Sequence, residues 1–164
     1  MTIPFDVNDP KNRRNFLEHG ITDSLAGLTG GQSPLWGNMS AQNMVEHLLW
    51  AFEASTGKID AHRDIPEAVI LRAKKFLFDN RPSPHEFKNP LLGSQPPPVR
   101  FATLDEAKFA FQQELHAFLD AVDRSPGIVR DHPIFGPLNA AEWERTHFKH
   151  CYHHLLQFGL IREK

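Results

Sequence analysis

Six of the chain's 13 prolines fall between Asn80 and Thr103, and that density constrains the architecture more than any other feature. Proline has no amide donor and its ring collides with the preceding turn, so no regular helix survives such a stretch. The 164-residue chain is therefore expected to form helices on either side of a long connection. A connection of that length is a linker or a covering loop, and the apolar Phe87, Leu91 and Leu92 within it favour a loop packed over the body. The length fits one domain spanning residues 1–164. With 40% hydrophobic and 23% charged residues, the chain has enough apolar side chains to bury a core.

Helix punctuation is legible on both sides of the proline stretch. Asp9 before Pro10 reads as an N-cap followed by proline at the first helical position, opening a helix through Arg13, Phe16, Leu17 and Ile21 that ends near Gly27. Ser40 caps a second helix with the apolar stripe Met44, Val45, Leu48, Ala51 and Phe52, while Gln42, Glu46 and Glu53 lie on the opposite arc; Gly57 ends it. Asp64 and Glu67 flank Pro66 at capping-box spacing and predict a shorter helix across Val69, Ile70, Ala73 and Leu77. Thr103 with Glu106 opens another, carrying Phe111, Leu115, Phe118 and Val122 and stopped by Ser125, Pro126 and Gly127. Asn139 with Glu142 opens the last, which continues to about Leu160. Alternating apolar runs joined by Asn-Gly or Asp-Gly are missing, so no β-hairpin is expected. The predicted fold is all-α, a four-helix bundle with an extra short helix and a long proline-rich loop.

Ten histidines stand out in this composition, four of them between His147 and His154. On a helical wheel Trp143, His147, His150, His154, Gln157 and Phe158 share one face, with Arg145, Lys149 and Leu156 near the other side. Inward imidazoles lose hydration and repel one another when protonated, two penalties that a shared cation removes. His150 and His154 have the i, i+4 spacing that lets two imidazoles converge on one ion, as in helical zinc motifs. His147 and His154 are about 10.5 Å apart along the axis at about 1.5 Å per residue, too far to share an ion, which leaves His147 as the reserve ligand. A third ligand has to come from another helix, and His47 lies on the core-facing stripe of the second helix beside Ala51 and Ala54. Asn43, Trp50 and Gln157 are placed to orient a ligand ring or face a substrate.

Blander readings stand beside this one. A lone inward histidine such as His47 is more often a core residue bonded to a carbonyl. His153 lies at the flank of the face, and His19, His62, His85 and His116 read as surface residues. Cys151, the single cysteine, reads as a small core filler. Trp143 reads as core. Arg72, Lys74 and Lys75 read as a solvated helix face.

Three stretches taken together resemble the DinB/YfiT-like superfamily of metal-binding helical bundles, in a branch catalogued as a domain of unknown function. They are PLWGNMSAQNMVEHLLW from Pro34 to Trp50, HPIFGPLNAAEW from His132 to Trp143, and HFKHCYHHLLQFG from His147 to Gly159. The resemblance spans nearly the whole chain. It implies three histidine ligands, matched to His47, His150 and His154, with Gln157 following the pair. It also implies a divalent transition metal, nickel or zinc foremost and manganese or iron besides, a small-molecule substrate such as a low-molecular-weight thiol, and a homodimer. Characterised relatives include thiol S-transferases and a thiol-dependent isomerase.

A three-histidine site leaves coordination positions open, as catalytic metal sites do. The expected function is a metal-dependent enzyme that activates a thiol or water nucleophile, of thiol S-transferase or hydrolase type. The alternative is a non-catalytic metal-binding or stress-associated small-molecule-binding module, and a further rival makes the histidines a proton-sensitive core without metal. With no HExxH sequence, peptidase chemistry is not expected. A net charge of -2 argues against nucleic-acid and membrane partners. One cysteine and no continuous apolar segment at the N-terminus give the cytoplasm as the expected address.

Overall fold

The structure is a computed structural model that describes residues 1–85 and 93–163. Helix α1 is one continuous run in three segments: Pro10–Asn15, a wider π-helical turn over Phe16–Gly20, and Ile21–Ala26. It is followed by α2 (Ala41–Ser55), α3 (Glu67–Phe78), α4 (Leu104–Arg124), strands β1 (Val129–His132) and β2 (Gly136–Asn139), and α5 (Ala140–Gln157). Four of the five expected caps act where the sequence places them. Asp9 accepts from the Lys11 amide, Ser40 and Asn43 form a reciprocal capping box, Thr103 accepts from the Glu106 amide, and Asn139 and Glu142 form a second box.

Three expectations are corrected. The fold is not a purely all-α four-helix bundle: the described residues hold five helices and an antiparallel hairpin, with Val129 opposite Asn139 and His132 opposite Gly136. No Asn-Gly turn closes this hairpin. Instead the His132 Nδ1 accepts from the Ile134 and Phe135 amides at 3.0 and 3.2 Å, and Gly136 takes a φ of 65°, the left-handed backbone that favours glycine. Second, the Asp64–Glu67 capping box does not form, because α3 starts two residues later with Pro66 at its N-cap and no side-chain cap bond; Asp64 faces the His62 ring instead. Third, α5 has no solvated side at Lys149, which is only 2% exposed.

The burial of α5 follows from what packs around it. The N-terminal segment lays Phe5 edge-on against Phe148 and Tyr152 at 5.3 and 5.0 Å, and the Tyr152 hydroxyl donates to the Ile3 carbonyl. From α1, Phe16 meets Phe148 at 4.8 Å. On the other side α2 joins α4 through Phe52, which lies edge-on to Phe111 and Phe118. Between α3 and α5 the Lys149 ammonium sits over the Phe76 ring at 4.0 Å and donates to the carbonyls of Asp79 and Arg81.

The proline-rich connection has no helix among its described residues. Its first part is held on α5 by Lys149. Its second part lies along the polar arc of α2, where Asn43 donates to the Pro97 carbonyl and Glu46 accepts from the Arg100 and Phe101 amides at 2.6 and 3.1 Å. Phe87, Leu91 and Leu92, on which the expectation of a covering loop rested, lie outside the described residues. No helix among the described residues is long and apolar enough to cross a membrane.

Candidate metal centre

His150 and His154 stand one turn apart on α5, and His47 faces them from the middle of α2. Their ring centroids form a nearly equilateral triangle: 4.7 Å from His47 to His150, 4.9 Å from His150 to His154, and 5.0 Å from His47 to His154. The Nε2 atoms of His47 and His150 are 2.8 Å apart, and one ring nitrogen from each of the three residues lies within 4.8 Å of the others. Two nitrogens each about 2.1 Å from a shared ion would be about 3.4 Å apart at the tetrahedral angle of zinc and about 3.0 Å apart at the right angle of a six-coordinate ion. The 2.8 Å separation is closer to the second value.

The electrostatics agree with the geometry. Burial, followed by the charge of His153, pushes His47 down to about 4. Burial, followed by neighbouring imidazoles, pushes His150 and His154 well below the ordinary histidine value. All three are neutral at physiological pH, which is the form that offers a lone pair. Among the described residues no carboxylate is among the groups that shift them. A donor set of three neutral imidazoles suits zinc, nickel and iron alike. Those residues fit a divalent transition ion.

The neighbouring residues separate by what they touch. Gln157, 5% exposed, places its Oε1 2.7 Å from the His154 Nδ1 and donates through Nε2 to the Trp36 carbonyl at 2.9 Å. His153, on the flank, meets His154 edge-on at 5.0 Å and Trp36 at 5.7 Å, and its ring is bonded to the Ser83 backbone. Trp50 is half-buried one turn beyond His47 on α2. Asn43 spends its side chain on the capping box and the Pro97 carbonyl, so it anchors the proline-rich segment beside the site.

His147, the reserve ligand, sits elsewhere. Its ring stacks on Phe52 at 3.6 Å and 7°, packs near Trp143 and meets Phe118 edge-on. Its Nε2 lies 2.8 Å from the Ser55 Oγ. Because that hydroxyl donates to the Phe52 carbonyl, it accepts from the ring, and His147 is a neutral core histidine. Cys151 is fully buried, and burial raises its thiol far above its usual range, which fits its reading as a filler. His19, His62, His85 and His116 are exposed as expected, with His85 stacked on Trp36 at 3.9 Å.

Sequence reasoning missed Trp36, whose carbonyl holds Gln157, and His132, which closes the hairpin turn. For Trp36 the available signal was Gly37 beside it. For His132 there was none, since nothing in a sequence distinguishes a turn-closing imidazole from a surface one.

A model of the family described as Protein of unknown function (DUF1569) matches residues 18–159, most of the chain. No curated protein matches the sequence, and no solved structure matches it. The chain belongs to that family of unknown function.

Proposed function

We propose that His47, His150 and His154 hold one divalent transition-metal ion, nickel or zinc foremost, and that the protein is a metal-dependent enzyme of transferase or hydrolase type. The observation that carries this reading is the convergence of three neutral imidazoles from two helices, with two Nε2 atoms 2.8 Å apart. Affinity with the DinB/YfiT-like superfamily, which rests on the three stretches 34–50, 132–143 and 147–159 taken together, belongs to this reading. So does a small-molecule substrate such as a low-molecular-weight thiol.

When bound, such an ion supplies Lewis acidity, lowering the pKa of a coordinated water or thiol towards neutrality and polarising an electrophile. The chain's own contribution is placement. The α5 turn sets His150 and His154 on one side, α2 sets His47 opposite, and Gln157 orients the His154 ring. His154 is buried, while His47 and His150 are half-buried, so a ligand reaches the ion from the side of those two rings. The rival reading, a non-catalytic metal-binding module, draws on the lack, among the described residues, of a carboxylate acting on the triad to serve as general base.

The test is a turnover screen with thiol cosubstrates and with esters, run on protein loaded with nickel or zinc and on protein stripped by chelator. The catalytic reading expects turnover that depends on the ion and drops at least 100-fold in His150→Ala. Full occupancy by the ion with no turnover across either substrate class would favour the binding module.

A further inference from the structure

A metal-ligating imidazole must present a lone pair, and which nitrogen carries it depends on what the other nitrogen meets. We propose that the surface turn Leu35–Gly37 is a positioning element for the triad: it fixes the Gln157 amide so that His154 is held as the Nδ1–H tautomer with its Nε2 lone pair aimed at His47 and His150. This rests on the metal-binding reading above, but the tautomer itself is a property of the chain alone.

The orientation follows from the bonding partners. The Trp36 carbonyl only accepts, so the Gln157 atom 2.9 Å from it is the amide nitrogen. The Gln157 Oε1 therefore faces the His154 Nδ1 at 2.7 Å. An amide oxygen only accepts, so Nδ1 carries the proton, and in a neutral ring the lone pair lies on Nε2. Nothing on α5 itself imposes this, because a free glutamine amide flips to suit its partner.

The Trp36 carbonyl is the one bond from the turn to the amide itself, and the turn is also fastened to the backbone that carries Gln157. The Leu35 amide donates to the Gln157 carbonyl at 2.7 Å, and Gln32 donates to the next carbonyl, that of Phe158, at 2.5 Å. At Gly37 the backbone has a φ of 81°, and a Cβ there would lie 2.8 Å from the Gln157 Nε2. No other residue leaves the amide its place without strain. Trp36 in turn stacks on His85, and Asn38 donates to the Ser94 carbonyl, so the turn is tied to both described ends of the proline-rich segment.

The experiment reads tautomer and affinity separately. In the metal-free protein, nitrogen-15 chemical shifts and long-range proton couplings of the His154 ring report which nitrogen is protonated. Cobalt(II), whose absorption reports coordination, gives the affinity of the triad. Wild type is expected to hold Nδ1–H. Gln157→Leu, close in shape, is expected to shift the ring towards Nε2–H and weaken cobalt at least tenfold. Gln157→Glu keeps an acceptor for Nδ1–H and is expected to keep the tautomer. Gly37→Ala, which leaves every triad residue in place, is expected to weaken cobalt in the same direction. A Gln157→Leu ring still protonated at Nδ1, or a changed tautomer with unchanged cobalt affinity, would overturn the proposal. Wild type that takes no cobalt would instead overturn the metal-binding reading. The His154 tautomer, expected to shift in Gly37→Ala as in Gln157→Leu, still decides whether the turn sets the ring, and a Gly37→Ala ring unchanged from wild type would overturn the proposal.

Discussion

His132 is closed in by its own turn. Its Nδ1 accepts from two backbone amides, and burial pushes its pKa down to about 3. The folded protein keeps this ring neutral between pH 6.5 and about 3, whereas the unfolded chain takes up a proton below about 6.5. The unfolded state thus binds more protons across that window, and stability falls as pH falls through it, by about 1.4 kcal/mol per pH unit for one such group. His132→Asn keeps an acceptor for the turn but does not titrate. In urea unfolding at pH 7 and pH 5, the variant is expected to lose less stability than wild type by on the order of 1–2 kcal/mol. Equal losses would contradict this account of His132. The comparison also shows why histidine counting is insufficient at this scale. His147 and His154 share one face of α5, yet one meets Ser55 within an aromatic stack and the other meets Gln157 beside two more imidazoles. Sequence spacing ruled out only that His147 and His154 share one ion, and left His147 in reserve. It could not show that α2 offers His147 a hydroxyl.

At the scale of elements, α2 works on both faces. Its inner face carries His47, and its outer face is a rack for the second part of the proline-rich segment, with Asn43 on the Pro97 carbonyl, Glu46 on two amides, and Glu53 paired bidentately with Arg100. Glu46 is 7% exposed, so the polar arc of this helix is covered rather than solvated. Glu46→Ala would leave the Arg100 and Phe101 amides without an acceptor, a loss of about 1–3 kcal/mol. Amide hydrogen exchange at those two positions is expected to rise well above the rest of the segment, with metal occupancy retained; unchanged exchange would show that the rack does not hold it. Helix starts were legible because a cap is a local bond between a side chain and an amide two or three residues on. The hairpin was not, because its turn is closed by an imidazole and by the backbone of Gly136 rather than by the usual Asn-Gly pair. Nor was the cover over α5 legible: Ile3, Phe5 and Val7 form too short a run to show a period, and they bury the side on which Lys149 lies.

For the whole molecule, the site exists only because α2 and α5 are brought together from residues more than a hundred positions apart. Periodicity faced His47 inward on one helix and His150 and His154 on another and grouped the three as ligands, and the family resemblance implied the same set. What neither reading contained was the surrounding support: the Leu35–Gly37 turn behind Gln157, and the two anchored ends of the proline-rich segment. That support depends on backbone carbonyls, which have no side-chain signature, and on the left-handed turn for which Gly37 was the one sequence signal. The proposed chemistry requires that the triad hold an ion. The most direct test is elemental analysis of tag-free protein purified without chelator, beside His47→Ala, His150→Ala and His154→Ala. About one nickel, zinc, manganese or iron per chain is expected, lost in each variant whose fold is intact by circular dichroism. Wild type that is free of metal and takes up none of these ions when they are added, or a variant that keeps a full complement, would contradict the account.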